Sequence, residues 1–272
     1  MFSPKLTGAI LTVLALFDTQ ITAHDIQSIQ APTNNTLHPQ IAIPAYTDTD
    51  TDTPTADHRD SHETEVPLTV RTHWMRQTFH ALNASGSPCP LYPFAAVIVN
   101  HTTTDTNTGT NTNNSGDFGE LICTGVNQGR QTGNMLLHGE ISALLNCTEI
   151  LQDPAGKYRL SPAETIDAFR HLSLYTNAES CPMCASALRW NGFREYIYGT
   201  SIARLVEYGF AQITIPSREV FARAQGLPSE TALIAGVLAE ETDALFAWQF
   251  RDGGCPVGCS RVGGGEGRCE PV

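Results

Sequence analysis

The sequence predicts a three-layer α/β fold: a mixed sheet of five strands with helices on both faces. Three observations carry this expectation. Five short runs rich in β-branched and aromatic residues are spread over residues 94–238, and segments with helical apolar spacing separate them. The 272-residue length leaves room for one substantial domain with appendages. At 41% hydrophobic and 16% charged residues, the chain can bury a core and is neither fibrous nor wholly disordered. No repeat is visible, which excludes solenoids and propellers.

The elements follow in order. Leu68, Met75 and Leu82, with Trp74 and Ala81 beside them, recur at heptad spacing and predict an amphipathic helix that ends near Asn83 to Pro88. FAAVIVN (Phe94 to Asn100) and ELICTGVN (Glu120 to Asn127) read as strands, joined by a Thr/Asn-rich low-complexity loop over 101–116. Ile141, Leu144, Leu145, Thr148 and Leu151 trace one helical face, which Asp153, Pro154 and Gly156 end. HLSLYT (His171 to Thr176) is a strand, Pro182 to Trp190 a helix stopped by Asn191 and Gly192, and REYIYG (Arg194 to Gly199) a strand. A helix between two neighbouring strands makes them parallel. Ser201 to Gly209 and Ser217 to Gln225 read as helices, ALIAGVL (Ala232 to Leu238) as a strand and Glu240 to Phe250 as a closing helix. Trp74, Trp190 and Trp248 are expected in the core.

Around this 67–250 domain the ends differ in composition. Lys5, the apolar run Leu6 to Phe17 and the small residues up to Ala23 have the three-part pattern of a secretory signal peptide over 1–23. Residues 24–66 hold eight acids against the single base Arg59 and no apolar periodicity, so they are expected to be a disordered acidic leader. Residues 251–272 form a Gly/Cys-rich tail. Sequons at Asn34, Asn83, Asn100, Asn113 and Asn146 agree with a secreted, extracellular glycoprotein, although Asn146 falls inside a predicted helix. With 28 acids against 16 bases, the net charge of −12 disfavours nucleic acid and anionic membranes as partners.

The chemistry gathers at two predicted helix starts. His138, Gly139 and Glu140 open one helix, and Cys181, Pro182, Met183 and Cys184 open another. One His and two Cys supply three ligands for Zn²⁺ and leave a fourth position to water, the arrangement of a catalytic rather than a structural site. Pro182 suits the first helical position, which makes Cys181 the N-cap and places Cys184 one turn on. The helix N-terminus favours the thiolate that binds metal. Glu140 lies two residues from His138 and can converge on the metal-bound water only at the helix edge, where a carboxylate can take and return a proton. Read singly, the cysteine pair could be a short disulfide and His138 a core histidine. The other six cysteines, Cys89, Cys123, Cys147, Cys255, Cys259 and Cys269, are then expected to form disulfides whose pairing the sequence leaves open.

LLHGEISAL (Leu136 to Leu144) together with LYTNAESCPMCASAL (Leu174 to Leu188) resembles the two metal motifs of the cytidine and deoxycytidylate deaminase superfamily. The resemblance covers roughly Leu68 to Phe250. Met183 between the cysteines, and Asn127 in GVNQG, are closer to the guanine deaminase and tRNA adenosine deaminase branch. The resemblance implies the cytidine-deaminase-like α/β/α fold, His138, Cys181 and Cys184 as zinc ligands, Glu140 as proton shuttle and Asn127 as a base contact. Asn127 before Gln-Gly also reads as a turn. Ser180 stands where the family usually has Pro, and is expected to loosen the approach to the helix without removing a ligand.

The function so implied is a secreted zinc-dependent aminohydrolase, with zinc-bound hydroxide as nucleophile and Glu140 as proton shuttle. Its expected partner is a small nucleobase or nucleoside, a purine such as guanine favoured, with no membrane partner after signal cleavage and homodimerisation left open. Two other readings stand beside it: a nucleic-acid adenosine deaminase, which the 14 Arg and two Lys scattered over an acidic chain disfavour, and a non-catalytic secreted effector, which the intact Glu140 disfavours.

Overall fold

The computed structural model describes residues 66–84, 89, 92–101, 118–250, 255, 258–263 and 269–272. The expected signal peptide, the leader apart from Val66, the loop insertion beyond His101 and most of the tail lie outside the described residues.

In chain order the elements are α1 (Leu68–Ala84), β1 (Ala95–Asn100), β2 (Glu120–Val126), α2 (Gly129–Thr132), α3 (Gly139–Gln152), α4 (Pro162–Phe169), β3 (Leu172–Ala178), α5 (Pro182–Asn191), β4 (Glu195–Thr200), α6 (Ile202–Glu207), α7 (Ser217–Arg223), β5 (Ala232–Ile234), α8 (Ala239–Ala244), β6 (Cys259–Arg261) and β7 (Cys269–Pro271). The main sheet has the order β2-β1-β3-β4-β5. β1 runs antiparallel to β2 and β3, whereas β3–β4 and β4–β5 are parallel, so the sheet is the mixed one expected. Among the described residues no helix is long and apolar enough to cross a membrane.

Strand alternation divides the core into two layers. Ala96, Ile98, Leu174 and Tyr196 face Ala143, Leu144 and Cys147 of α3 and Leu188 of α5. Val97, Val99, Tyr175 and Ile197 face Trp74 and Met75 of α1. α1 is also tied to the sheet by a buried ion pair, Arg71 Nη2 to Glu195 Oε1 at 2.8 Å, with Ser173 donating to Oε2. With helices on both sides, β3 and β4 are buried along their whole length, and their polar residues Ser173, Asn177 and Glu195 are hydrogen-bonded inside the protein.

Close packing at one end of the sheet positions the functional residues. A Cβ at Gly125 would overlap the backbone of Gly139 and Ala143, so only glycine lets β2 approach the start of α3. Asn177, fully buried, donates from Nδ2 to Pro93 O (2.6 Å) and accepts from Ala95 N (3.0 Å), which ties the end of β3 to the entry of β1. Glu179 accepts from the N–H of Ile202 and from the N–H and hydroxyl of Ser217, at 2.7–2.8 Å, so one carboxylate links the approach to α5 with the starts of α6 and α7.

Several expectations are corrected. Leu68 and Leu145 are exposed: α3 buries Ala143, Leu144, Cys147 and Leu151, and Leu145 falls about 200° round the helix from Ala143. Trp190 is not a core residue. It is 75% exposed, because Leu188 and Cys184 turn the opposite face of α5 inward. β5 pairs only over Ala232–Ile234; Gly236 and Leu238 then take left-handed φ of 71° and 55°, which ends the expected strand and starts α8 at Ala239. Helix α4 was not anticipated, although Ser161 and Glu164 form a reciprocal capping box with Pro162 inside it.

All six spare cysteines are paired, as Cys89–Cys259, Cys123–Cys147 and Cys255–Cys269. The second pair pins α3 to β2. A Cys123→Ala/Cys147→Ala protein should lose about 2–4 kcal/mol, typical of a native disulfide, and melt on the order of 10 °C lower at this size. Thermal denaturation monitored by circular dichroism checks this; an unchanged melting temperature would contradict it.

Candidate active site

His138 is the N-cap of α3, with extended backbone (φ −67°, ψ 165°), and Glu140 sits in the first turn. Cys181 is the N-cap of α5 (φ −61°, ψ 164°), Pro182 occupies the first helical position, and Cys184 follows one turn later. Neither N-cap side chain makes a capping hydrogen bond, so imidazole and thiol project away from their own helix ends. Both helices start at the same end of the sheet, and the side chains converge. His138 Nδ1 lies 3.5 Å from Cys181 Sγ and 3.6 Å from Cys184 Sγ, and the three ligand atoms fall within 4.8 Å of one another.

This donor set fits zinc. Zn–S bonds of about 2.3 Å and Zn–N bonds of about 2.0–2.1 Å at the tetrahedral angle place nitrogen and sulfur about 3.6 Å apart. Cys181 and Cys184 are free thiols while the other cysteines are paired, which removes the disulfide alternative.

The electrostatics agree. The Cys181 thiol falls to about 4, chiefly because the Cys184 thiol hydrogen-bonds to it, with a further contribution from His138 and burial acting against both. Cys184 moves upward for the reciprocal reason, reinforced by burial and by Glu140 nearby. His138 is raised, led by its hydrogen bond to Cys181. The two sulfurs are thus pushed in opposite directions. A divalent cation relieves this asymmetry, because its charge stabilises both thiolates.

Glu140 is buried beside the cluster, and burial raises its pKa against the opposing hydrogen bond from Ser180. The expectation that Ser180 loosens the approach to α5 is corrected: its N–H donates to the Tyr196 hydroxyl (2.6 Å) and its hydroxyl donates to Glu140 Oε1 (2.7 Å). Sequence reasoning marked Ser180 as a departure but missed both contacts, together with Tyr196, Asn177 and Glu179.

Asn127 lies on the neighbouring segment, where Gln128 N–H donates to Leu137 O (2.8 Å), immediately before His138. Asn127 Oδ1 accepts the N–H of Gly129 (3.0 Å), which closes the turn expected before Gln-Gly. A cavity of about 570 Å³ lies against the outer face of α5 and α7, lined by Trp190, Ile215 and Arg223 among others. It reaches the site only through Pro182, and neither Glu140 nor any ligand residue lines it.

The sequence model of the cytidine and deoxycytidylate deaminase zinc-binding region matches residues 69–200, from α1 to the end of β4, and so takes in His138, Glu140, Cys181 and Cys184. Residues 69–200 belong to this deaminase family. The domain is a zinc-dependent deaminase, and zinc is its cofactor.

Among solved structures, a guanine deaminase from Nitrosomonas europaea is 19% identical over 67% of this chain and 84% of its own, with a TM-score of 0.43. A structure from a study of tRNA deaminases that edit A to I at the wobble position is 20% identical over 64% of this chain and 99% of its own (TM-score 0.40). A guanine deaminase from Bacillus subtilis is 20% identical over 52% and 70%, respectively (TM-score 0.33). Likeness at this level says nothing about substrate. No curated protein matches the sequence.

Purified protein should therefore carry about one zinc per chain. Cys184→Ala should lose most of that zinc and melt at lower temperature, since metal binding is coupled to folding. Elemental analysis checks both, and wild-type protein free of zinc when prepared without chelator would contradict the assignment.

Proposed function

We propose that the protein is a secreted zinc-dependent aminohydrolase that deaminates a small nucleobase or nucleoside, a purine such as guanine in particular. The observation that carries this reading is the convergence of His138, Cys181 and Cys184 with a buried carboxylate, Glu140, beside them that is not itself a ligand. His138, Cys181 and Cys184 hold the metal. When bound, zinc supplies a Lewis acid that makes water acidic enough to yield hydroxide near neutral pH.

Every other step belongs to side chains. Glu140 accepts the proton of the attacking water and returns it to the departing amino group, so that water and the ring C–NH₂ become ring C=O and ammonia. Burial favours the protonated carboxyl, the form that gives the proton up. The Asn127 NH₂ can donate to a ring nitrogen or carbonyl oxygen of the base. Met183 and Asn127, through the sequence resemblance noted above, support a purine. The net charge of −12 supports a small substrate over a nucleic acid. Secretion is supported by the N-terminal pattern, the sequons and three disulfides.

Incubation with guanine, adenine, cytosine, their nucleosides and pterins, with ammonia measured, tests the reading. Guanine or another purine should release ammonia, and release from none of them would overturn it. Glu140→Gln should keep its zinc and melting temperature but lose at least about 10² to 10⁴ in turnover; a variant that kept both zinc and turnover would refute the shuttle.

Mass spectrometry of secreted protein should find a mature N-terminus near His24. It should also find a glycan on Asn83, exposed near the end of α1, and none on Asn146, whose Nδ2 is committed to Thr124 O (2.9 Å) within α3. A retained 1–23 segment would refute signal cleavage.

A further inference from the structure

We infer that Ser180 is a positioning residue for Glu140, fixing through its hydroxyl which carboxylate oxygen moves the proton, and that Tyr196 is the support that aims it. The inference rests on the proposed deaminase reading and deepens it.

The geometry is specific. Ser180 is fully buried, so its hydroxyl has no water to satisfy it and must find a protein partner. That partner is Glu140 Oε1, at 2.7 Å, 40 residues away in sequence. The bond joins the first turn of α3 to the residue immediately before Cys181, so it spans the two helix starts whose side chains hold the metal.

The peptide that carries Ser180 is itself aimed. Its N–H donates at 2.6 Å to the hydroxyl of Tyr196, a fully buried residue of β4 whose ring is wedged against Tyr198 and Phe221. A rigid strand therefore orients a peptide, the peptide orients a hydroxyl, and the hydroxyl holds one carboxylate oxygen. With Oε1 held by the hydroxyl, exchanging the two oxygens by rotation means breaking that bond, which leaves Oε2 to carry the proton between water and leaving group.

Proline at this position would supply neither donor: it has no N–H and no hydroxyl. It would leave the Tyr196 hydroxyl without the N–H it accepts and Glu140 Oε1 without its partner. The residue by which this chain departs from the resembling motif is thus the residue that makes both contacts.

The test compares Ser180→Ala, which removes only the hydroxyl, with Ser180→Thr, which keeps the hydroxyl and the N–H. Zinc per chain should be unchanged in both. In crystal structures of the zinc-loaded proteins, the Glu140 carboxylate should adopt a rotated or split position in Ser180→Ala and return to its wild-type position in Ser180→Thr. On the best substrate, Ser180→Ala should lower kcat about 10- to 100-fold, the range of a hydrogen bond to a charged group. KM should stay within about twofold, and Ser180→Thr should restore most of the loss. A Glu140 carboxylate unmoved in Ser180→Ala, or a loss shared by Ser180→Thr, would overturn the inference. If the wild-type protein turned over none of the bases, the functional reading would fail, whereas the position of the carboxylate would still decide what Ser180 does.

Discussion

Three donor atoms must meet within a few ångströms of one point, although His138 lies more than 40 positions before the two cysteines. A tetrahedral ion tolerates little error in those positions, so the elements that carry them must be rigid and must begin at the same place. The protein meets this demand by starting α3 and α5 at one end of one sheet. Gly125 admits α3 against β2, Asn177 fastens β3 to the entry of β1, and Cys123–Cys147 crosslinks strand to helix. Burying β3 and β4 on both faces stiffens the platform from which Cys181 projects.

The same convergence sets the electrostatics. Two thiols and an imidazole cannot all take their preferred charge in a half-buried cluster without a cation, and the opposite displacements of Cys181 and Cys184 express that conflict. Glu140 adds to it by pushing Cys184 further up. Raised by burial and held by a neutral hydroxyl rather than a cation, it stays available to exchange protons. His138 and Cys181 cap their helices and Cys184 lies one turn into α5, while Glu140 stands beside them in the first turn of α3.

Much of this was legible in the sequence, for identifiable reasons. A proline one residue after Cys181 announces a helix start, and His-x-Glu before an apolar stripe announces another, so ligand identity and local geometry were readable together. β1, β3 and β4 stood out because they are short runs dense in β-branched, aromatic and other apolar residues. What could not be read depends on contacts distant in sequence. The pairing of six cysteines follows from which elements meet, and the role of Ser180 follows from Tyr196 and Glu140 lying on either side of it. Trp190 misled because aromatic character reports a tendency to be buried, while the phase of α5 decides which face turns outward. Helix α4, eight residues that bury only Thr165 and Phe169, escaped although its capping box stood in plain view.

Glu179 has a further consequence, for how the chain between α6 and α7 can vary. Its carboxylate grips the N–H of Ile202 at the start of α6 and Ser217 at the start of α7, so the stretch made of α6 and the 208–216 connection is clamped at both ends to the residue two positions before Cys181. A stretch tied at both roots transmits little strain inward. Tyr208 and Phe210 are buried and fixed by the core, so it is the stretch around the exposed Ile213 and Ile215 that can change without disturbing it, while the ligand set stays in register. A single buried carboxylate thereby separates a segment free to diversify from one in which a shift of an ångström would matter.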